Sequence, residues 1–167
     1  MTPLHISRLW TISVAGVALA AVVVIGFDGP APVLLNESPS LPRGLYLRSG
    51  ATVERGAVVA IAQPAEARLY LTRLGMPSDL LLLKRVAAVG GDPVCAGLGT
   101  VRTPGRQVWA FDRDRQGAAL PAWRECRVMA SDELFLLGDT PESFDSRYFG
   151  PVQRGEAEGV YREVLTW

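Results

Sequence analysis

Histidine is almost missing from this sequence of 167 residues: His5 is the only one, and it precedes the first long apolar run. Beyond that run there is no imidazole, which excludes a Ser-His-Asp triad and a histidine-ligated metal site there. Cysteine is nearly as scarce, since Cys95 and Cys126 are the only pair, too few for a cysteine-rich zinc site. Neither sign of charge is in excess, with Lys+Arg and Asp+Glu at 17 each. A nucleic-acid partner normally shows as a basic surplus, so none is expected. Internal repeats and low-complexity tracts are absent as well, which argues against a repeat architecture. No metal or organic cofactor is implied. Any hydrolytic chemistry must use a base other than histidine.

What the chain does contain begins with residues 9–27, LWTISVAGVALAAVVVIGF, a stretch without a charge. As a helix rising ~1.5 Å per residue it would be ~28 Å long, close to the ~30 Å hydrocarbon core of a bilayer. Trp10 and Phe27 sit near its ends, where interfacial aromatics are favoured. The alternative is a removed signal peptide, but its apolar region normally runs ~7–15 residues and no clear A-x-A site comes after it. Arg8 and the α-amino group precede the run, and Asp28 and Glu37 are the first charges after it. The positive flank stays inside. The expected organisation is a cytoplasmic tail over residues 1–8, a single inner-membrane anchor over 9–27 in contact with the lipid bilayer, and a periplasmic domain over 28–167. Cys95 and Cys126 agree, being a candidate disulfide in an oxidising compartment, with two free buried thiols as the alternative. Such a crosslink would add about 3–4 kcal/mol in the chain-entropy picture.

In the exported part, residues 45–48 and 57–62 read as strands, and 66–74 (EARLYLTRL) as a helix stopped by Gly75 and Pro77. Residues 80–89 form a continuous apolar strand interrupted by two cations. A turn at 90–93 leads into a strand starting at 94–95, with shorter candidates at 100–102 and 107–111. Residues 133–137 and 159–167 complete the set, and 142–151 reads as a loop. Many short strands with Gly/Pro punctuation and one short helix predict a mainly β fold, mostly antiparallel.

Two stretches carry candidate chemistry. Asn36-Glu-Ser-Pro-Ser-Leu-Pro-Arg-Gly-Leu-Tyr46 holds Ser38 and Ser40 on a backbone restricted by two prolines and a glycine, which aims a hydroxyl as a nucleophile requires. The bland alternative is a proline-rich linker leaving the membrane. Lys84 comes after four leucines on a core strand, where burial penalises the ammonium and lowers its pKa toward that of a working base. Its alternative is an edge strand with Lys84 and Arg85 snorkelling to solvent.

Three segments then appear in order: Ser-Leu-Pro-Arg-Gly-Leu-Tyr, Leu-Lys-Arg-Val-Ala-Ala-Val-Gly-Gly-Asp, and Ser-Phe-Asp-Ser-Arg-Tyr-Phe-Gly-Pro. Together they resemble the signal peptidase I family of membrane-bound serine endopeptidases, and within it the TraF-type conjugative-transfer peptidases. The resemblance implies a signal-peptidase-like β domain and a Ser-Lys dyad, with Ser40 as nucleophile and Lys84 as general base. It implies that Ser38 helps an oxyanion hole, that Asp145 supports the site and pairs with Arg147, and that Ser143 hydrogen-bonds the lysine. Leu41 and Pro39 depart from the wider family pattern. The implied substrate is an exported precursor, above all a conjugative propilin, with cyclisation of the product as a further capability of such relatives and conjugation or type IV secretion components as partners. A general signal peptidase and a non-catalytic part of a secretion or pilus complex are the other classes.

Overall fold

The computed structural model describes residues 29–167. The tail and anchor expected over residues 1–27 lie outside the described residues. Among the described residues, no helix is long and apolar enough to cross a membrane. The folded unit spans Pro32–Trp167.

A seven-stranded antiparallel sheet forms the body. Its strands are β1 (Val33–Asn36), β2 (Gly44–Ser49), β3 (Val58–Ile61), β4 (Leu82–Val89), β9 (Glu133–Leu137), β10 (Val152–Gln153) and β11 (Ala157–Thr166). They lie in the order β1-β2-β11-β3-β4-β9-β10. A second, four-stranded sheet is built from β5 (Pro93–Gly97), β6 (Thr100–Arg102), β7 (Gln107–Trp109) and β8 (Cys126–Val128), in the order β7-β6-β5-β8. Cys95 and Cys126 face each other across β5 and β8 and form a disulfide. The mainly antiparallel β expectation is met.

Alternation along β4 decides where its lysine goes. Side chains point to opposite faces in turn, so Leu82, Lys84 and Val86 share a face with their cross-strand partners Ile61, Val59 and Leu136. Helix α1 (Ala65–Arg73) covers this face with Ala67 and Leu71, and the cluster is completed by Phe149 and Val152. Leu83 turns the other way, into a cluster with Leu41, Tyr46 and Tyr161. A bulge between Val86 and Ala88 then resets the register. The extra residue of a bulge re-aims the side chains beyond it, and Ala88 joins Phe135, Leu137, Val94 and Met129 against the smaller sheet.

The structure corrects several readings of the sequence. Residues 33–36 form β1, paired with β2 from Val33↔Leu47 to Asn36↔Gly44, so the serine stretch is a hairpin connection and not a linker. Within the expected loop stands a single-turn helix, α2 (Ser146–Phe149). It is set by its caps: Asp145 accepts from the Arg147 N–H at its start, and Gly150 at φ 81° ends it. One turn is too short to show a 3.6-residue period. Strands β8 and β10, of 3 and 2 residues, are further elements that the sequence reading lacks.

Candidate active site

The β1–β2 connection is organised by Asn36, which is buried. Its Nδ2 donates to the carbonyls of Ser38 (3.0 Å), Leu41 (3.2 Å) and Pro42 (2.9 Å), and its Oδ1 accepts from the Ser38 N–H at 3.2 Å. One side chain therefore ties both ends of the proline-rich turn. Tyr46 reaches back from β2 and donates its hydroxyl to the Pro42 carbonyl at 2.7 Å. Burial, with Glu163 nearby, pushes the Tyr46 pKa up to about 12, so the phenol stays protonated. On the far side, the Asp139 N–H donates to the Ser40 carbonyl at 2.6 Å. Ser40 is thus held on both sides, with 4% of its surface exposed.

Lys84 comes to it from β4. Its Nζ lies 2.9 Å from Ser40 Oγ, and the residue is as buried as the serine. Burial pushes the ammonium down from 10.5 to about 8, against the charge of Asp145, which raises it. The snorkelling alternative is excluded, because Lys84 points into the covered face of the sheet while only Arg85 turns outward. There Arg85 grips the Asp139 carboxylate at 3.0 and 2.7 Å. Ser38 joins the pair: its Oγ donates to Ser40 Oγ at 3.0 Å and accepts from the Ser40 N–H at 3.3 Å.

Asp145 and Arg147 are both fully buried and form a bidentate pair, Nε–Oδ1 and Nη2–Oδ2, each 2.8 Å. Bidentate carboxylate–guanidinium pairs are the strong, orienting kind. Asp145 also accepts from the Gly138 N–H at 2.8 Å. Arg147 spends its remaining donors on the carbonyls of Trp109, Pro141, Thr140 and Ser143. The pair fastens the 138–147 loop, and its hydrogen bonds do not extend to Ser40 or Lys84. Asp145 acts on Lys84 through its charge.

Ser143 differs from what the resemblance implies. Its Oγ is buried without a hydrogen-bond partner, so no bond to the lysine is made. Its main-chain carbonyl is held by Arg147, and its side chain packs on Gly138. A Cβ on Gly138 would fall onto the Ser143 side chain and 2.9 Å from the Ser40 carbonyl, so only glycine fits between the serine loop and the 138–147 loop.

Ser38, Ser40, Lys84 and Ser143 open onto one cleft of ≈ 1050 Å³. Among the described residues no group of three or more His, Cys, Asp or Glu is placed to hold a metal ion. A buried amine of lowered pKa against a buried hydroxyl is an arrangement for proton transfer and nucleophilic attack.

The family model described as signal peptidase, peptidase S26, matches residues 6–167. The chain belongs to the signal peptidase S26 family. Plasmid transfer protein TraF of Escherichia coli is 35% identical over 161 residues, covering 89% of this chain and 91% of that protein. Conjugal transfer protein TraF of Agrobacterium fabrum is 30% identical, covering 93% and 94%. A signal peptidase I crystal structure from Enterococcus faecalis aligns with 67% of this chain and 98% of its own, at a TM-score of 0.42 and 22% identity. Within this S26 peptidase, sequence reasoning gave no role to Asn36, Gly138 or Asp139. Lys84 carried a signal that went unused: it is the only lysine in the chain.

Proposed function

We propose that this S26 peptidase is a membrane-anchored serine endopeptidase that uses a Ser40–Lys84 dyad on exported precursors. The observation that carries the reading is the 2.9 Å approach of Lys84 Nζ to Ser40 Oγ inside a desolvated site. With a pKa of about 8, roughly a quarter of the amines are neutral near pH 7.5, against about one in a thousand for an unperturbed lysine. In that neutral form the hydrogen bond runs from Ser40 Oγ–H to Nζ. Lys84 takes the proton as Ser40 attacks the substrate carbonyl, then gives it to the departing amine, leaving an acyl-enzyme. The Ser40 N–H and the Ser38 hydroxyl turn toward the oxyanion in this step. Water deprotonated by Lys84 resolves the acyl-enzyme; an amine terminus of the substrate in its place yields a cyclic product.

The Leu9-to-Phe27 run supports an anchor in the inner membrane with residues from about 28 onward in the periplasm. The plasmid-transfer and conjugal-transfer names of the relatives support a propilin as the precursor. Cleavage of a candidate propilin in membranes tests the proposal. Ser40→Ala and Lys84→Ala abolish cleavage at normal protein levels, while Ser38→Ala slows it. Cleavage that survives Ser40→Ala but not Ser38→Ala assigns the nucleophile to the wrong serine.

A further inference from the structure

The cleft is much larger than the dyad needs, and its far wall is of different chemistry. Tyr70 on α1, Phe144 on the 138–147 loop and Tyr148 on α2 follow one another in contact, Tyr70 tilted by 32° against Phe144 and Phe144 stacked on Tyr148, with ring centroids 4.5 and 5.3 Å apart. Both tyrosines are pinned at their hydroxyls. Tyr70 donates to Asp114 Oδ2 at 3.0 Å, and Tyr148 accepts from the Phe111 N–H at 3.2 Å. The three rings line the same cleft as Ser40 and Lys84. Leu74 and Leu80 also line it, although they are 49% and 44% exposed. Tyr70 and Phe144 pack with one side against the core cluster of Ala67 and Leu71, but Leu74 and Leu80 are no part of it, so core packing does not explain two half-exposed leucines in the same cleft. Phe144 is covalently the next residue after Ser143 and the one before Asp145, so this wall is fixed to the frame of the dyad.

Resting on the peptidase reading, we propose that Tyr70, Phe144, Leu74 and Leu80 form a specificity subsite for one large apolar or aromatic side chain of the substrate polypeptide, separate from the residue that is cleaved. At ≈ 1050 Å³ the cleft is slightly larger than pockets that enclose ligands of drug size, ~300–1,000 Å³, and has room for a peptide of several residues. Aromatic rings and leucines recognise an apolar side chain by area and shape, and such a pocket discriminates by roughly 10–200-fold per methylene-sized change. The occupant is the substrate itself, because the wall is continuous with the cleft that contains the nucleophile.

The test uses the full chain with Ser40→Ala, in lipid nanodiscs, and fluorescent decapeptides of Ala, Ser and Gly in which a single Phe is moved from position to position. At one position Phe binds roughly 10-fold or more tightly than Ala. That ratio falls toward one in Leu74→Asn and in Phe144→Ala. It persists in Leu69→Asn, which is on α1 but outside the cleft and 67% exposed. A flat profile, or a preference that survives both Leu74→Asn and Phe144→Ala, overturns the subsite. So does loss of the ratio when lipid composition alone is changed, since the wall then takes an acyl chain. If peptides show the preference and the Ser40 enzyme never cuts them, the subsite stands and the peptidase reading fails; serine-dependent cleavage with a flat profile gives the reverse.

Discussion

Because Lys84 is the only lysine, its ionisation can be followed without interference by labelling lysine with carbon-13 and recording the single Cε resonance against pH. The structure sets the expected midpoint at about 8 in place of 10.5. That difference corresponds to about 3 kcal/mol by which the folded site disfavours the ammonium. It also fixes the sign of the stability effect. Between pH 8 and 10.5 the unfolded chain keeps this proton while the folded chain has released it, so stability rises with pH across that window. Below pH 8 the full penalty is present, and above 10.5 it is gone. Lys84→Met, which fills the same space without a charge, is therefore more stable than the parent at pH 7 by up to about 3 kcal/mol. In denaturant titrations the gap closes as pH climbs from 8 to 10.5. For the active enzyme, kcat/KM rises with pH along an acid limb whose midpoint matches the resonance, since only the neutral amine accepts the serine proton. A Cε midpoint near 10.5 would refute the reasoning: the amine would then be solvated, and burial could not be the source of its basicity.

The remaining predictions concern the frame of the site. Gly138→Ala drives a methyl into Ser143 and the Ser40 carbonyl, so it lowers kcat by an order of magnitude or more, measured per folded molecule by circular dichroism and activity together. Asn36→Ala removes a donor from three loop carbonyls, of which only that of Pro42 keeps a second one, the Tyr46 hydroxyl; it costs about 1–3 kcal/mol in chemical denaturation and slows acylation by a serine-directed probe. Asp145→Asn strips the buried Arg147 of its counter-charge and costs about 3–5 kcal/mol. It also lowers the Lys84 midpoint further, because Asp145 is the larger of the two charges that raise it, Asp139 being the other; a rise in that midpoint would contradict the electrostatics.

Much of this was legible in the sequence because it depends on local rules. The leucines before Lys84 signal a buried strand, which starts at Leu82 and leaves Leu80 outside it and 44% exposed, and Gly75 with Pro77 marks the end of α1. The serine stretch shows its own rigidity through Pro39, Pro42 and Gly44. Resemblance of short motifs supplied Ser40, Lys84, Asp145 and Arg147, since those motifs keep residue types where backbone paths are restricted. The scarcity of histidine ruled out a Ser-His-Asp triad beyond the first apolar run without any structure.

Tertiary structure decided the relations between segments far apart in the chain. Ser40 and Lys84 are 44 residues apart, and nothing local states that their side chains meet at 2.9 Å. That meeting results from the antiparallel order β2-β11-β3-β4 together with strand alternation, which places Lys84 on the covered face and Arg85 on the open one. The role of Asn36 depends on three carbonyls converging in one turn, and that of Gly138 on two loops passing within van der Waals distance. Ser143 was misjudged because a residue type fixes which bonds a hydroxyl can make, whereas packing against Gly138 fixes which one it does make. Sequence determines the inventory of groups and the local stiffness of the backbone. Only the packed sheet determines which groups lose their water, and with it how far the pKa of a lysine falls.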